Sequence, residues 1–252
     1  MKTKGYISGR PTELVVLDYG LFRVHSNGRI IGICGFLIRT DADEKILVDT
    51  GFPAKYAYDI AASSAEDDLG NFGEVLECTP ANLPAAQLAK CGVAPDDIDL
   101  LILTHSHIDH VGGIADFPQA PILLSQSEHE SDKPLYWGAV QPMAWPDRQY
   151  RVIDQDTQIG PGLRVMLTPG HAAGQISLLV ELPETGPVLL TSDAISRPAE
   201  IDEGFAGAPD PEAARQSAAR LMALAKERSA FIIYGHWPEQ WPELRKAPES
   251  YN

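Results

Sequence analysis

Six consecutive residues near the middle of the chain, from His105 to His110, contain three histidines and one aspartate. Imidazole nitrogens and carboxylate oxygens are the atoms that bind catalytic divalent metal ions in proteins. Composition alone is expected to produce so dense a cluster in only about a few of ten thousand chains of this length. The alternative interpretation is a group of surface histidines in a turn, and the rarity of the cluster favours metal binding.

Four predicted strands end at residues of these same types. The strand over residues 100–103 runs into His105, and apolar strands later in the chain run into His171, Asp193 and His236. Five of the seven histidines of the chain belong to these strand ends. Because the carboxyl ends of neighbouring strands converge at one edge of a sheet, where α/β proteins usually bind ligands, we expect these side chains to meet there.

The side chains at the strand ends offer enough nitrogen and oxygen donors for two metal ions. They are His105, His107, Asp109, His110, His171, Asp193 and His236. A donor set without thiolates suits zinc, manganese, iron or cobalt at a catalytic rather than a structural site. The three cysteines form no Cys-x-x-Cys pair, which argues against a thiolate zinc site and against a disulfide framework.

Apolar runs separated by Gly, Pro and Asp clusters predict the elements that position these residues. Strands are predicted at residues 14–17, 31–38, 46–48, 100–103, 121–124, 149–153, 163–167, 176–180, 188–190 and 231–234. Helices are predicted over residues 82–90 and from Pro211 onward, with Asp210 as the N-cap of the second. Strands interspersed with helices, without a change in composition, indicate one layered α/β domain over residues 1–252.

Two long stretches, residues 52–80 and 128–148, are predicted to be surface loops of the kind that often cover a substrate. The four tryptophans either wall an apolar pocket or pack in the core or a dimer interface. They are Trp137, Trp145, Trp237 and Trp241.

The charge balance excludes some classes of partner. Among 252 residues, 35 are acidic and 20 are basic, which gives a formal net charge of −15. This balance argues against binding to nucleic-acid phosphates and to anionic membranes. No apolar run approaches the roughly 18 residues of a membrane span, and the N-terminus lacks the apolar segment of a signal peptide. We therefore expect a soluble, cytoplasmic protein that acts on a small molecule.

The pattern His-x-His-x-Asp-His, followed by a distant His, Asp and His, resembles that of the metallo-β-lactamase superfamily over essentially the whole chain. Residues 47–51 (Leu-Val-Asp-Thr-Gly) also resemble an early motif of that superfamily. The resemblance implies an α/β fold, a four-layer αββα sandwich with metal ions at one edge of its two sheets. Residues 168–180 and 189–194 are most similar to the N-acyl homoserine lactonase branch, and this similarity also implies a homodimer.

The resemblance assigns a role to each candidate residue. It implies that His105, His107 and His171 bind one divalent ion, that Asp109, His110 and His236 bind a second, and that Asp193 bridges the two. Zinc is the expected ion, with manganese, iron or cobalt as alternatives. Asp49 orients the metal-binding turn from behind. The resemblance further implies that the ions would supply a hydroxide for attack on the carbonyl of a small lactone, and that Asp109 would carry a proton to the leaving oxygen.

One position departs from the lactonase pattern. A tyrosine that contacts the substrate carbonyl is expected three residues after the bridging aspartate, and Ser196 stands there instead. Tyr136 or Tyr234 is a candidate to replace it in space. The departure keeps open a second interpretation, an enzyme that hydrolyses another ester or a thioester, such as a glyoxalase II-like enzyme or an aryl esterase. A non-catalytic binding protein is disfavoured because all seven donor positions are intact.

Overall fold

The computed structural model describes residues 6–130, 141 and 143–252, which form two β-sheets with helices outside them. The first sheet contains β1 (Pro11–Val24), β2 (Ile30–Thr40), β3 (Lys45–Val48), β4 (Gly73–Glu77), β5 (Leu100–Ile102), β6 (Ile122–Ser125) and β7 (Tyr150–Ile153). The second contains β8 (Thr157–Gly160), β9 (Leu163–Leu167), β10 (Ile176–Leu182), β11 (Gly186–Ser192) and β12 (Phe231–Tyr234). The helices are α1 (Ile60–Glu66), α2 (Pro84–Lys90), α3 (Ile108–Val111), α4 (Gln126–His129), α5 (Ala199–Asp202) and α6 (Pro211–Arg228).

Each sheet combines an antiparallel part with a parallel part. The spatial order of the first sheet is β4-β1-β2-β3-β5-β6-β7, and its pairs from β3 to β7 are parallel. The order of the second is β12-β11-β10-β9-β8, in which only the β11–β12 pair is parallel. The parallel pairs bring the carboxyl ends of β3, β5, β11 and β12 to the edges from which the site is built.

Side chains that alternate along the strands divide the core into layers. Leu14 and Val16 of β1 are buried together with Leu178 and Val180 of β10. This hydrophobic cluster lies between the two sheets. Successive side chains of a strand point to opposite faces of its sheet. The intervening Val15 of β1 accordingly packs in a different cluster, on the outer face of its sheet.

Helices cover the two outer faces. The outer cluster of the first sheet includes Leu88 of α2 and Val111 of α3. The outer cluster of the second sheet joins Leu179 and Leu189 to Leu221 of α6. The order helix, sheet, sheet, helix confirms the predicted αββα sandwich.

The longest helix begins where the sequence predicts. The carboxylate of Asp210 accepts a hydrogen bond from the backbone N–H of Ala213 at 3.0 Å, and Pro211 is the first helical residue. The buried face of α6 packs on the second sheet, and the hydroxyl of Ser217 donates to the carbonyl of Pro169 at 2.8 Å. The helix therefore supports the loop that carries His171.

Two predicted segments differ from the structure, and the sequence analysis does not predict β8 or the short helices α1, α3, α4 and α5. Residues 52–80 are not one loop, because they contain α1 and β4; β4 alternates buried Gly73 and Val75 with exposed Glu74 and half-buried Leu76, as an edge strand with one buried face does. The helix predicted over residues 82–90 begins at Pro84.

The second predicted loop, residues 128–148, is only partly described. Residues 131–140 and 142 lie outside the described residues, and with them Tyr136 and Trp137. Among the described residues, no helix combines the length and the apolarity that crossing a membrane requires.

Candidate active site

The side chains singled out in the sequence come from the ends of both sheets. His105 follows β5, and the short helix α3 carries Asp109 and His110. His171 follows β9, while Asp193 and His236 follow the parallel strands β11 and β12. The backbone N–H of Ile176 donates to the carbonyl of Thr104 at 2.9 Å, which joins the two sheets beside the site. All seven predicted donors are thereby brought together.

Three imidazoles form the first group of donors. The Nδ1 atom of His107 lies 3.0 Å from Nε2 of His105 and 2.9 Å from Nε2 of His171. Nitrogens bound to one tetrahedral zinc ion lie about 3.3 Å apart, since each Zn–N bond is about 2.0–2.1 Å long. The spacing of these three atoms is close to what one ion requires.

The second group is formed by Asp109, His110 and His236. The Oδ2 atom of Asp109 lies 3.6 Å from Nε2 of His110 and 3.7 Å from Nε2 of His236. Asp193 lies between the two groups, with Oδ2 3.3 Å from Nε2 of His171 and Oδ1 3.2 Å from Nε2 of His236. The carboxylate of Asp193 thus contacts both groups of donors.

A layer of hydrogen bonds behind the donors fixes their orientation. Asp49, which has a left-handed backbone conformation (φ 59°), contacts Nδ1 of His110 with Oδ2 at 2.8 Å. The same carboxylate accepts from the N–H and the hydroxyl of Thr104, at 2.8 and 2.7 Å. Nδ1 of His236 donates to the carbonyl of Gly32 at 2.9 Å. Both imidazoles thus turn Nε2 toward the site, and Asp49 lies where it was predicted, behind the turn.

The protonation states at the site fall into two classes. Burial, followed by the charge of His110, holds the pKa of His105 well below its usual value. Burial and then His171 lower the pKa of His107 to about 3. Burial opposes a charge on His110 as well, but Asp109 and Asp49 with Asp193 raise its pKa to about 10. The first group is therefore held as neutral imidazoles, the form that binds a metal.

Two atoms at the centre of the site make no hydrogen bond with the described residues, although other polar atoms of the site lie 3.2–3.6 Å from them. Nε2 of His110 and Oδ1 of Asp193 are buried and have no hydrogen-bond partner among the described residues. A buried polar atom without a partner is destabilising unless a water molecule or an ion binds it. Together with a donor set of imidazoles and carboxylates, these atoms fit divalent metal ions.

A cavity of about 520 Å³ opens onto the two groups of donors. His107, Asp109, His171, Asp193 and His236 line its floor. Its apolar wall contains Phe22, Val24, Ile31, Phe72 and Phe205. The polar side chains of the wall include Ser196, Arg29, Arg197, Glu200 and Glu203. A mixed wall of this kind suits a small substrate with one hydrocarbon part and one polar part.

The structure distinguishes between the candidates for the cavity wall. Ser196 lines the cavity, whereas Tyr234 and the described tryptophans Trp145, Trp237 and Trp241 do not. Trp241 packs instead against the core between the sheets. The sequence analysis missed Arg29 and Glu200, because neither position carries a motif and both reach the cavity only through the tertiary fold.

The loop that carries His171 is held from the side by a buried carboxylate. Glu128 is 4% exposed, and its Oε1 accepts a hydrogen bond from the N–H of Gly174 at 3.0 Å. The hydroxyl of Ser125 donates to the carbonyl of Gly174 at 2.7 Å. Both polar groups of one loop residue are thereby bound to the end of β6 and to α4.

Replacing Glu128 by alanine is expected to lower the free energy of unfolding by about 1–3 kcal/mol, because it leaves the buried N–H of Gly174 without an acceptor. Urea unfolding measures this change. Glu128→Gln keeps Oε1 and is expected to resemble the wild type. Glu130→Ala, at an exposed position just beyond α4, is the matched control, with a change within about 0.5 kcal/mol. Equal effects of Glu128→Ala and Glu130→Ala would contradict the role of Glu128.

Comparison with known proteins defines the class of this site. The family model described as the metallo-beta-lactamase superfamily matches residues 35–236. The sandwich fold, the two groups of donors at its edge and this match agree. The chain therefore belongs to the metallo-β-lactamase superfamily.

Individual relatives narrow the class further. An N-acyl homoserine lactonase of Bacillus thuringiensis is 33% identical over 225 residues, which cover 85% of this chain and 84% of that protein. The structure of B. thuringiensis AiiA with N-decanoyl-L-homoserine bound at its active site has a TM-score of 0.81 and 28% identity, covering 96% of this chain and all of that one. An N-acyl homoserine lactone hydrolase with N-hexanoyl-L-homoserine at its catalytic metal centre has a TM-score of 0.80 and 28% identity, with the same coverage. Within the superfamily the chain falls in the N-acyl homoserine lactonase branch and is a metal-dependent hydrolase.

Proposed function

We propose that this chain opens the ring of N-acyl homoserine lactones or related small lactones at a pair of divalent metal ions. Zinc is the expected metal at both positions. His105, His107 and His171 would hold the first ion, and Asp109, His110 and His236 the second. Asp193 would bind both.

One observation carries the proposal: two groups of donor atoms share the carboxylate of Asp193 on the floor of a cavity of about 520 Å³. A cavity of this size admits a lactone ring with a substituent and brings it onto both groups at once. The relatives add support, because one solved structure holds N-decanoyl-L-homoserine at its active site and another holds N-hexanoyl-L-homoserine at its catalytic metal centre. The fold of this chain follows theirs over nearly its whole length.

Divalent ions bound at this site would supply a water molecule of lowered pKa and a positive charge beside the substrate carbonyl. The residues of the chain do the rest. Asp49 and the carbonyl of Gly32 keep the imidazoles of His110 and His236 in position. We assign to Asp109, which is 15% exposed at its side chain and faces the cavity, the transfer of a proton to the ring oxygen as the acyl C–O bond breaks. The product is a hydroxycarboxylate.

Ser196 is assigned to the substrate-contacting wall. Its backbone N–H donates to Oε2 of Glu200 at 2.8 Å, and its carbonyl accepts from the N–H of His236 at 2.9 Å. Ser196 is thus fixed beside a donor of the second group while it faces the cavity. A serine here, in place of a larger phenol, is the specific observation that favours a second candidate: hydrolysis of another ester or of a thioester at the same centre.

A substrate panel tests the choice between these functions. We expect kcat/KM of about 10⁴ M⁻¹s⁻¹ or more for an N-acyl homoserine lactone or a γ- or δ-lactone, the lower end of the range for natural substrates. Thioesters and aryl esters of similar size are expected to react far more slowly. The ring-opened hydroxy acid, identified by mass spectrometry, is the diagnostic product. A thioester or an aryl ester that reacts faster than every lactone would overturn lactone hydrolysis as the main activity.

A further inference from the structure

Arg29 lies at the rim of the cavity, on the turn between β1 and β2. The turn is fixed by its own hydrogen bonds: the N–H of Arg29 donates to Oδ1 of Asn27 at 3.0 Å, and its carbonyl accepts from the N–H of Val24 at 2.9 Å. Asn27, Val24 and Arg29 all line the cavity. The Arg29 side chain therefore starts from an ordered backbone beside the site.

Two nitrogens of the Arg29 guanidinium have no hydrogen-bond partner among the described residues. Its Nε and Nη1 atoms are buried without a hydrogen-bond partner, and no carboxylate lies within 4.0 Å of its nitrogens among residues 6–130, 141 and 143–252. Arginine stays charged at neutral pH and carries five N–H donors. Donors that are shielded from water and unpaired cost free energy unless a ligand accepts from them.

The acidic neighbours of Arg29 are already engaged. Glu203 forms an ion pair with Arg197, and Glu200 accepts from the backbone N–H of Ser196. Burial, followed by the charge of Arg197, lowers the pKa of Arg29 from its usual value, although Glu200, Glu203 and Asp193 act in the opposite direction. None of these carboxylates forms a direct ion pair with Arg29 among the described residues.

A second arginine of the same hairpin, Arg23, has a different environment from Arg29. Arg23, one strand residue before Val24, forms a salt bridge with Glu74 at 3.0 Å in an exposed position and does not line the cavity. Surface pairing of this kind is the ordinary environment of an arginine. Arg29 instead lines the cavity in which a substrate would bind.

We propose that Arg29 binds an sp² oxygen of the substrate's substituent, in an amide carbonyl or in a carboxylate, and so selects which lactones are hydrolysed. This inference rests on the proposed lactone hydrolysis. The apolar wall formed by Phe22, Phe72 and Phe205 then takes the hydrocarbon part of the same substituent. Arg29 holds no part of the reacting ring, so its effect is on specificity.

Three lactones with the same ring and the same length of substituent test the assignment. One carries an acylamino group, one a terminal carboxylate and one a plain alkyl chain. Arg29→Ala is expected to lower kcat/KM about tenfold to a hundredfold for whichever oxygen-bearing lactone is the true ligand class, and less than about threefold for the alkyl lactone. The two oxygen-bearing lactones distinguish an amide ligand from a carboxylate ligand. Arg23→Ala is the matched control, and it should leave all three values unchanged.

Equal losses on all three lactones, or no loss on either oxygen-bearing one, would overturn the assignment. Thermal unfolding of Arg29→Ala and the activity of Arg29→Lys separate a lost contact from a damaged fold: the lysine variant is expected to recover part of the loss. If the wild type opens no lactone, the proposed function fails. Calorimetric titration with the three intact lactones then tests Arg29 alone, because Arg29→Ala should weaken the binding only of a lactone whose substituent carries an amide carbonyl or a carboxylate.

Discussion

Removal of divalent ions is expected to lower lactone hydrolysis by at least about a thousandfold. A single hydrogen-bond donor to a developing oxyanion is worth about 10²–10³ in rate, and removal of the ions takes away both the nucleophile and the positive charge beside the carbonyl. Zinc, manganese or cobalt should restore the rate. Activity after chelation and after re-addition, with metal content from mass spectrometry, measures the effect.

The protein itself should also respond to chelation. Ions that bind the folded state stabilise it, by about 4 kcal/mol when their concentration is a thousand times the dissociation constant. Without them, Nε2 of His110 and Oδ1 of Asp193 stay buried without a hydrogen bond. The melting temperature is therefore expected to fall along with the rate. Full activity in protein with no detectable metal would contradict the proposed centre.

A single substitution separates the two groups of donors. His107→Ala is expected to lose about one equivalent of metal, because Nδ1 of His107 contacts a nitrogen of both His105 and His171. His25→Ala removes a histidine that is exposed and lies outside the cavity, so it should keep the metal content of the wild type. If the His107→Ala variant still bound two equivalents of metal, His107 would not be a ligand.

The strands that the sequence predicts best are those buried on both faces. All three residues of β5 are buried, and an unbroken apolar run of this length is typical of such a strand. β4 and β8 lie at the edges of their sheets and carry polar side chains on the exposed face, so their sequences resemble loops. Pairing with a neighbouring strand, which a short sequence window does not contain, is what makes them strands.

The residues of the candidate site also divide into those that the sequence predicts and those that it does not. The seven donors could be predicted because histidine and aspartate after an apolar strand are a rare combination with a chemical reason, and Asp49 because of its motif. Arg29 and Glu128 are ordinary surface residue types, and nothing in their neighbourhood signals burial. Their roles depend on which loop the fold brings against them: the cavity for Arg29, and the His171 loop for Glu128. Substrate selection is therefore the part of the function that least follows from sequence.

Replacing Asp109 by asparagine is expected to lower kcat for lactone opening by about 10²–10⁴, the usual contribution of a positioned proton donor or acceptor. The amide keeps an oxygen at the position of the carboxylate, 3.6 Å from Nε2 of His110, but it cannot carry the proton. Metal content and KM are expected to stay close to the wild type, so that the loss appears in kcat. Steady-state kinetics together with metal analysis measure this separation.

The leaving group provides the sharpest test of Asp109. An alkoxide of high pKa must be protonated as it departs, whereas a phenolate or a thiolate leaves without help, so Asp109→Asn should retain far more of its activity on aryl esters and thioesters than on lactones. Asp116→Asn, an exposed aspartate in the segment after α3, is the matched control and should behave as the wild type. An equal loss of kcat on all three classes, with metal retained, would mean that Asp109 does not transfer the proton to the leaving oxygen. If the Asp109→Asn variant lost metal, the main role of Asp109 would be to bind metal rather than to transfer a proton.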